Sequence, residues 1–326
     1  MSFIAPTRSK KLKKLILLAY AIINQWGFRY FLHVSKIEWN EKGWAIFLPD
    51  VKPIPLFDRH SFQEQYEKYL NFIEKKFLKT SIDSNFPKIT FLLYAESKEL
   101  ENVQNILVSF LKQSYNNWNL IILSKNNEVI DSSLFTQDER ISIISSSNNK
   151  LILDQINSLK SDFVGIIDSR VVLQSYSLTE FAKFLKNNPI FDIFYSDHDK
   201  IDKNARRYDP FFKPAWSLIT FRSFDYISSL CIIKQTIVEK VFTKELFSNY
   251  SFDLLLNCID ESFKIYHVPL PLYSIMDSNN FNSLEYRKNI LTKHLQRNNV
   301  DGKIENGILP NTFRINYNLK SQPKVS

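Results

Sequence analysis

The sequence predicts an α/β fold built on a mainly parallel sheet. Between Pro87 and Tyr195, apolar runs of strand length alternate with helical segments. These runs are continuously apolar instead of alternating with polar residues, as expected for strands that are buried on both faces. The chain has 326 residues, of which 44% are hydrophobic and 23% charged, and is long enough for one large α/β domain and an additional segment.

The elements follow one another in strand–helix order. Strands are predicted at 89–94, 118–123, 141–145, 163–167 and 191–195, and helices at 100–113, 151–159 and 178–186. Further along, a helix is predicted over 252–259, a short strand over 263–268 and a helix over 285–298. Strands that alternate with helices indicate parallel pairing, because the chain crosses back over the sheet between them.

Residues 1–86 are predicted to be a partly helical extension of this domain. Basic residues cluster at 8–14 and precede a short apolar run at 15–23, which has no small-residue cleavage site and is shorter than the ~20 residues of a membrane span. This basic helix either lies on an anionic inner membrane leaflet or packs on the main domain. Residues 61–78 show helical spacing of aromatic and aliphatic positions and are predicted to face the core.

Charge and cysteine content exclude some functions. The net charge is +8, but basic residues are spread among nearly as many acids, so no nucleic-acid partner is expected. The chain has only five glycines, which counts against tight backbone cradling of phosphate. Cys231 and Cys258 lack metal-ligand spacing and are predicted to be buried free thiols.

A series of ordered motifs resembles bacterial family 2 glycosyltransferases. The motifs are QSYNNW at 113–118, YSDHDKID at 195–202, RRYDPFFKP at 206–214, HLQR at 294–297 and LPNTFR at 309–314. They are similar to a subgroup linked to O-antigen and rhamnose-type polymers. The likeness covers residues 60–326, so it is specific for the fold and says less about the chemistry.

The resemblance implies a GT-A-like domain at 87–320, with a mixed, mainly parallel sheet flanked by helices. It implies transfer of a sugar from a nucleotide-sugar donor to a glycan or lipid-linked acceptor, in the cytoplasm or at the inner face of the membrane. The family uses a divalent metal, Mn²⁺ or Mg²⁺, on an Asp-X-Asp loop to neutralise the leaving diphosphate.

The metal loop departs from that pattern. Asp168 is present, but Arg170 replaces the second carboxylate. Since a guanidinium cannot ligate a metal, two interpretations remain. Either Arg170 itself neutralises the diphosphate in a metal-free site, or the site has decayed and Arg170 pairs with Asp168 or another acid. The second is favoured.

Other positions that the family uses are also substituted. Alignment places Ser251 at the catalytic base, and a serine does not accept a proton at neutral pH without help. Asp253 matches a supporting acid and is the candidate substitute base. Asn257 and Ser274 replace a family arginine and histidine, and 124–127, read as SKNN, replaces acids that hold the nucleotide.

The acid-rich segment retains candidate ligands for nucleotide or sugar, namely Asp197, Asp199 and Lys213. Its acids could contact sugar hydroxyls and its basic residues phosphate. The favoured alternative is a salt-bridged loop that fixes the sheet edge. The aromatic residues Tyr208, Phe211, Phe212 and Trp216 stack on a sugar or, more commonly, form a local core.

Two functional hypotheses follow. The chain is a glycosyltransferase of surface-polysaccharide biosynthesis, of O-antigen or capsule type, in which this domain is impaired or inactive. Alternatively, it is a non-catalytic module that binds glycan or scaffolds an active glycosyltransferase domain. The PKVS sequence at 323–326 resembles PKIT at 87–90, so residues 321–326 are predicted to start a following domain.

Overall fold

The computed structural model describes residues 59–77, 85–95, 99–124, 138–145, 149–242, 250–276 and 284–318. The predicted basic helix at 8–23 and the predicted domain start at 321–326 lie outside these residues. The division into an extension and a domain at residue 87 stays a prediction. In the described ranges, no helix is both long and apolar enough to cross a membrane.

The strands account for the predicted alternation and add to it. They are β1 Ile89–Ala95, β2 Trp118–Ser124, β3 Ile141–Ser145, β4 Phe163–Ile167, β5 Val171–Leu173, β6 Ile193–Ile201, β7 Arg207–Phe211, β8 Leu230–Lys234, β9 Ile265–Met276, β10 Gly302–Asn306 and β11 Phe313–Tyr317. The helices are α1 Arg59–Phe77, α2 Leu100–Leu111, α3 Asn149–Leu159, α4 Ser177–Asn187, α5 Leu218–Ser223, α6 Gln235–Phe242, α7 Tyr250–Glu261 and α8 Leu284–Arg297.

One mixed sheet organises the described residues. Its strand order is β3-β2-β1-β4-β8-β6-β9-β5, and β7 pairs with β6. The half from β3 to β4 is parallel, β8 is antiparallel to both β4 and β6, and β6 pairs in parallel with β9 along its whole length. The predicted mixed, mainly parallel sheet flanked by helices is confirmed.

Both faces of the sheet are covered, which explains the continuous apolar strands. Phe91 and Leu93 of β1 face a core shared with α1, α2 and α4, whereas Leu92 between them faces a core shared with α3, α6 and α7. A strand buried on both faces requires apolar residues at every position. Cys231 and Cys258 are buried free thiols in the second core, as predicted.

Two predicted strands are longer than expected. The predicted strand at 191–195 continues to Ile201, and the segment expected to be a loop returns as β7, so the acid-rich segment forms a β-hairpin. The predicted short strand at 263–268 is the beginning of β9, which extends to Met276. Strands β5 and β8, helices α5 and α6 and the β10–β11 hairpin were not predicted.

The motif at 113–118 serves the fold. The Gln113 side chain donates to the Ser109 and Gln174 carbonyls and accepts from the backbone amide of Leu178, so it joins α2 to the start of α4. The Tyr115 hydroxyl donates to the Pro87 carbonyl, and Trp118 is fully buried. This motif therefore identifies an architecture and not a reaction.

Candidate functional site

The candidate site lies at the carboxyl ends of β4 and β6, where open α/β sheets hold their ligands. The turn after β4 is fixed by backbone hydrogen bonds. The Asp168 amide donates to the Ser229 carbonyl at 2.9 Å, and the Val171 amide donates to the Asp168 carbonyl at 3.1 Å. Ser124 ends β2 and is buried, and the rest of the predicted nucleotide segment, 125–127, lies outside the described residues.

Asp168 and Arg170 form a closed ion pair across this turn. Arg170 donates from Nε to Asp168 Oδ1 at 2.7 Å and from Nη2 to Oδ2 at 2.9 Å, and its backbone amide donates to Oδ1 at 2.9 Å. Burial acts to lower the pKa of Arg170, but Asp168, with Glu99 and Asp225 nearby, raises it above its ordinary value. The guanidinium is therefore permanently charged and engages both carboxylate oxygens.

A second Asp-X-Arg sequence forms the same geometry away from the candidate site. At the surface before β3, Arg140 donates to Asp138 from Nε at 2.9 Å, from Nη2 at 2.6 Å and from its backbone amide at 3.0 Å. The same three bonds form in both places. An arginine two residues after an aspartate thus closes on that aspartate by local geometry.

The residues at the turn do not fit a divalent metal. Hard cations require several oxygen ligands, but Arg170 stands where a second carboxylate is needed and covers the oxygens of Asp168. Of the two other acids nearby, Glu99 accepts a hydrogen bond from the Ser169 hydroxyl at 2.9 Å, and Asp225 accepts one from the Ser228 backbone amide at 3.1 Å. Over the described part of the chain, no group of three or more His, Cys, Asp or Glu side chains could hold a metal ion.

Asp197 is buried in a hydrogen-bonded cluster. Its Oδ1 accepts from the Lys213 backbone amide at 2.8 Å and from His267 Nε2 at 2.7 Å. The His267 ring stacks on Tyr195, with 4.9 Å between ring centroids. Asp197 is 3% exposed, so it holds strands β6 and β9 and the 213 segment together and does not present its carboxylate to solvent.

Lys213 is an unusual buried amine. Its Nζ donates to the Tyr273 hydroxyl at 2.7 Å and lies 4.9 Å from the centre of the Tyr273 ring. Burial lowers the pKa of Lys213 to about 7, although Asp197, Asp225 and Cys231 act in the opposite direction. Close to neutral pH this amine gains or loses a proton inside the protein.

Lys213→Met is expected to abolish a rise in stability that the native chain shows above about pH 7. The unfolded chain keeps the lysine proton up to its ordinary pKa of 10.5, whereas the folded chain releases it near pH 7. Unfolding then takes up a proton, so the free energy of unfolding increases with pH in this window. Urea unfolding of both proteins between about pH 7 and pH 9 measures the difference. Parallel pH curves would contradict the prediction.

Asp199 is completely buried under helix α1. It accepts from the Tyr66 hydroxyl at 2.6 Å, from Arg207 Nε at 2.7 Å and from the Ser274 hydroxyl. Ser274, which replaces the family's histidine, therefore has a structural partner. The sugar-binding role predicted for Asp199 stays a prediction that its burial does not favour.

The two positions predicted for a catalytic base lie in the first turns of α7. Ser251 is half-buried, and the Asp253 carboxylate accepts from Asn257 Nδ2 at 3.2 Å. Asp253 lines a groove between α7 and α8. The predicted site residues thus fall into three places: the Asp168 turn with the adjacent Asp197 cluster, both of which Asp225 influences, the Asp199 pair under α1, and the α7–α8 groove.

Sequence reasoning missed residues around these places. Glu99 and Asp225 lie close enough to affect Arg170, and the Asp225 carboxylate accepts from the Ser228 amide at 3.1 Å. His198 stacks on Tyr273 with ring centroids 5.2 Å apart. The separations between these residues in the sequence follow no recognisable motif. The only indication in the sequence was that Asp225 comes shortly before a buried apolar strand.

The chain forms the mixed, mainly parallel sheet flanked by helices that the resemblance to glycosyltransferases implied. It is 26% identical over 178 residues to the O-antigen biosynthesis protein RfbC of Myxococcus xanthus, which is 51% of this chain and 14% of that protein. It is 26% identical over 203 residues to the uncharacterized protein y4gI of Sinorhizobium fredii, 58% of this chain and 22% of that one.

The chain therefore spans less than a quarter of the length of these curated relatives. No model of a protein family matches it. Among solved structures, it is similar to residues 1–349 of S. aureus TarS in complex with UDP-GlcNAc, with a TM-score of 0.46 and 11% identity over 64% of this chain and 66% of that chain.

Proposed function

We propose that this chain is a family 2 type glycosyltransferase domain of bacterial surface-polysaccharide assembly, of O-antigen or capsule type, that does not itself carry out metal-dependent sugar transfer. The similarity to an O-antigen biosynthesis protein supports the pathway. The motifs at 195–214 and 294–314 support the family.

The observation that carries this proposal is the closed Asp168–Arg170 pair. Sugar transfer from a nucleotide donor requires neutralisation of the leaving diphosphate and a base for the acceptor hydroxyl. A carboxylate bound on both oxygens by its own arginine supplies no metal ligand, and the Asp168–Arg170 pair as a whole carries no net charge with which to neutralise a diphosphate. Ser251 at the base position supplies no proton acceptor.

The burial of Asp197 and Asp199 favours a non-catalytic role, in which the domain binds glycan or scaffolds an active glycosyltransferase domain. Were the domain active, its partners would be a nucleotide sugar and a glycan or lipid-linked acceptor. Location at the inner face of the cytoplasmic membrane also stays a proposal, because the basic segment at 8–14 lies outside the described residues.

Calorimetric titration with UDP, dTDP and GDP tests the proposal, each with Mn²⁺ or Mg²⁺ and with chelator. We expect no metal-dependent binding of any nucleotide. Micromolar binding that requires metal would overturn the proposal, whereas chelator-resistant binding that Arg170→Ala abolishes would support the alternative of a metal-free site in which Arg170 neutralises the diphosphate. Arg140→Ala is the matched control, because it removes the arginine of the equivalent Asp-X-Arg pair at the surface.

A further inference from the structure

A groove between helices α7 and α8 is separate from the Asp168 turn. It has a volume of about 460 Å³ and is lined by Asp253, Tyr286, Asn289, Ile290, Thr292 and Lys293. The volume is within the range of small-molecule sites. Tyr286, Asn289, Ile290 and Lys293 recur at helical spacing, so α8 presents a single continuous wall.

The two helices that form the groove are joined by buried hydrogen bonds one turn further along α8. His294, which follows Ile290 by four residues, is fully buried, accepts from Arg222 Nε at 3.0 Å and contacts Asp260 through Nδ1 at 3.1 Å. Asn298 Nδ2 also donates to Asp260, at 2.8 Å. These bonds fix α8 to α7 and α5. A groove between fixed helices requires little reordering to bind a ligand.

The chemistry of the lining matches a neutral molecule with many hydroxyl groups. The Asp253 carboxylate supplies a hydrogen-bond acceptor and the Lys293 ammonium supplies donors, whereas the Asn289 and Thr292 side chains can do both. Tyr286 offers the face of an aromatic ring, and Ile290 provides an apolar floor. Each sugar hydroxyl both donates and accepts, so it can use either kind of group.

The charge of the lining excludes nucleotides. Asp253 and Lys293 are the charged residues of the groove and cancel formally. A nucleoside diphosphate would bring several negative charges next to the Asp253 carboxylate with one lysine to oppose it, which is unfavourable. A neutral glycan meets no such repulsion.

We infer that the α7–α8 groove binds a short, uncharged segment of glycan. The inference deepens the proposed function, because it assigns to the domain a glycan contact that does not depend on a metal or on a donor nucleotide. In this arrangement Asp253 accepts a hydrogen bond from a sugar hydroxyl and does not act as a base.

Methyl NMR of the full chain tests the inference, with the isoleucine δ1-methyl groups labelled. The probes are L-rhamnose, N-acetylglucosamine and their short oligomers at millimolar concentrations. We expect the Ile290 methyl signal to shift saturably, and the signal of Ile106, which lies in the core on the other face of the sheet, to stay unchanged.

The double variant Asn289→Ala, Lys293→Ala is expected to weaken binding about tenfold, because two hydrogen-bonding groups are lost. Lys303→Ala, which removes an exposed lysine of the hairpin, is the matched control and should bind as the native chain does. Absence of an Ile290 shift with every probe, or equal binding by the double variant, would overturn the inference. Neither result affects the nucleotide titration, so the two proposals fail separately.

Discussion

Arg207→Met is expected to lower the free energy of unfolding by about 3–5 kcal/mol, the cost of leaving one partner of a buried ion pair without the other. Arg207 is 8% exposed and Asp199 is not exposed at all. Methionine fills part of the space but carries no charge. The Asp199 carboxylate would then be left in the interior with hydroxyl donors alone.

The effect is expected to be large because Arg207 joins several elements. Its Nε donates to Asp199 in β6, its Nη2 donates to the Pro271 carbonyl in β9 at 3.0 Å, and its Nη1 lies 3.5 Å from Glu74 in α1. Burial disfavours the charged guanidinium, but Asp199 raises the pKa of Arg207, so the arginine stays charged. Loss of this side chain loosens α1 from the sheet.

Arg206→Met is the matched control, since the neighbouring arginine also bonds to α1. Arg206 is 61% exposed and reaches Glu67, itself 44% exposed, at 3.0 Å. An exposed pair of this kind contributes little to stability, because water and salt screen the two charges. Urea unfolding of both variants measures the contrast. If both variants lose an equally small amount of unfolding free energy, the Asp199 carboxylate does not need Arg207 as its partner in the interior. The hypothesis that Asp199 binds sugar would then regain support.

The length of β6 illustrates where sequence reasoning stops. Ser196 to Lys200 are polar, so the apolar signal ends at Tyr195 and the predicted strand ends with it. The strand continues because Asp199 is compensated by Tyr66, which lies 133 residues away in the sequence. Burial of a charge depends on partners that no local pattern reveals. The continuous apolar run Phe163–Ile167, in contrast, was predicted to the residue.

Strand β8 was missed for another reason. Leu230 to Ile233 form an apolar run like those of the predicted strands. However, β8 is antiparallel and lies between β4 and β6, so it does not continue the strand–helix alternation from which the other strands were predicted. The apolar run therefore indicated a strand, but it was not assigned because it did not fit the expected strand–helix alternation.

The candidate site likewise has one part that the sequence predicts and one part that it does not. The pairing of Arg170 with Asp168 was foreseeable, because two residues on one tight turn meet through local geometry, as Asp138 and Arg140 also do. The approach of Asp225 and Glu99 to that turn was not, since each comes from a different element. A contact between residues that are close in the sequence can be predicted from their spacing, whereas the residues that surround a site can be identified only once the fold is known.

Arg170→Asp is expected to create a divalent-cation site where the native turn has an ion pair. The substitution frees both oxygens of Asp168, adds a second carboxylate two residues away and leaves Glu99 nearby. Oxygen-rich sites of this kind bind with dissociation constants of about 0.1–1 mM when they are not optimised. Binding of Mn²⁺ can be measured by loss of the free-ion signal in electron paramagnetic resonance.

The stability of the variant provides an independent measurement. Two carboxylates held close together repel each other, so Arg170→Asp should melt below the native chain without metal and recover when Mn²⁺ is added, because a ligand that binds the folded state stabilises it. Arg170→Ala is the control: it removes the guanidinium but adds no ligand, and its melting temperature should not respond to Mn²⁺. A response of the native chain would contradict closure by Arg170, and a response of the alanine variant would show that the added carboxylate is not required.

Metal binding by Arg170→Asp is not expected to restore UDP binding. By the family resemblance, the segment after β2 also lacks the acids that hold the nucleotide, since it reads SKNN, and the position predicted for the base remains Ser251. If the variant binds Mn²⁺ and then UDP, the arginine alone separates this domain from an ordinary transferase. If it binds Mn²⁺ and no UDP, the losses at the turn and at the nucleotide end are independent, as expected for a domain retained for binding and not for catalysis.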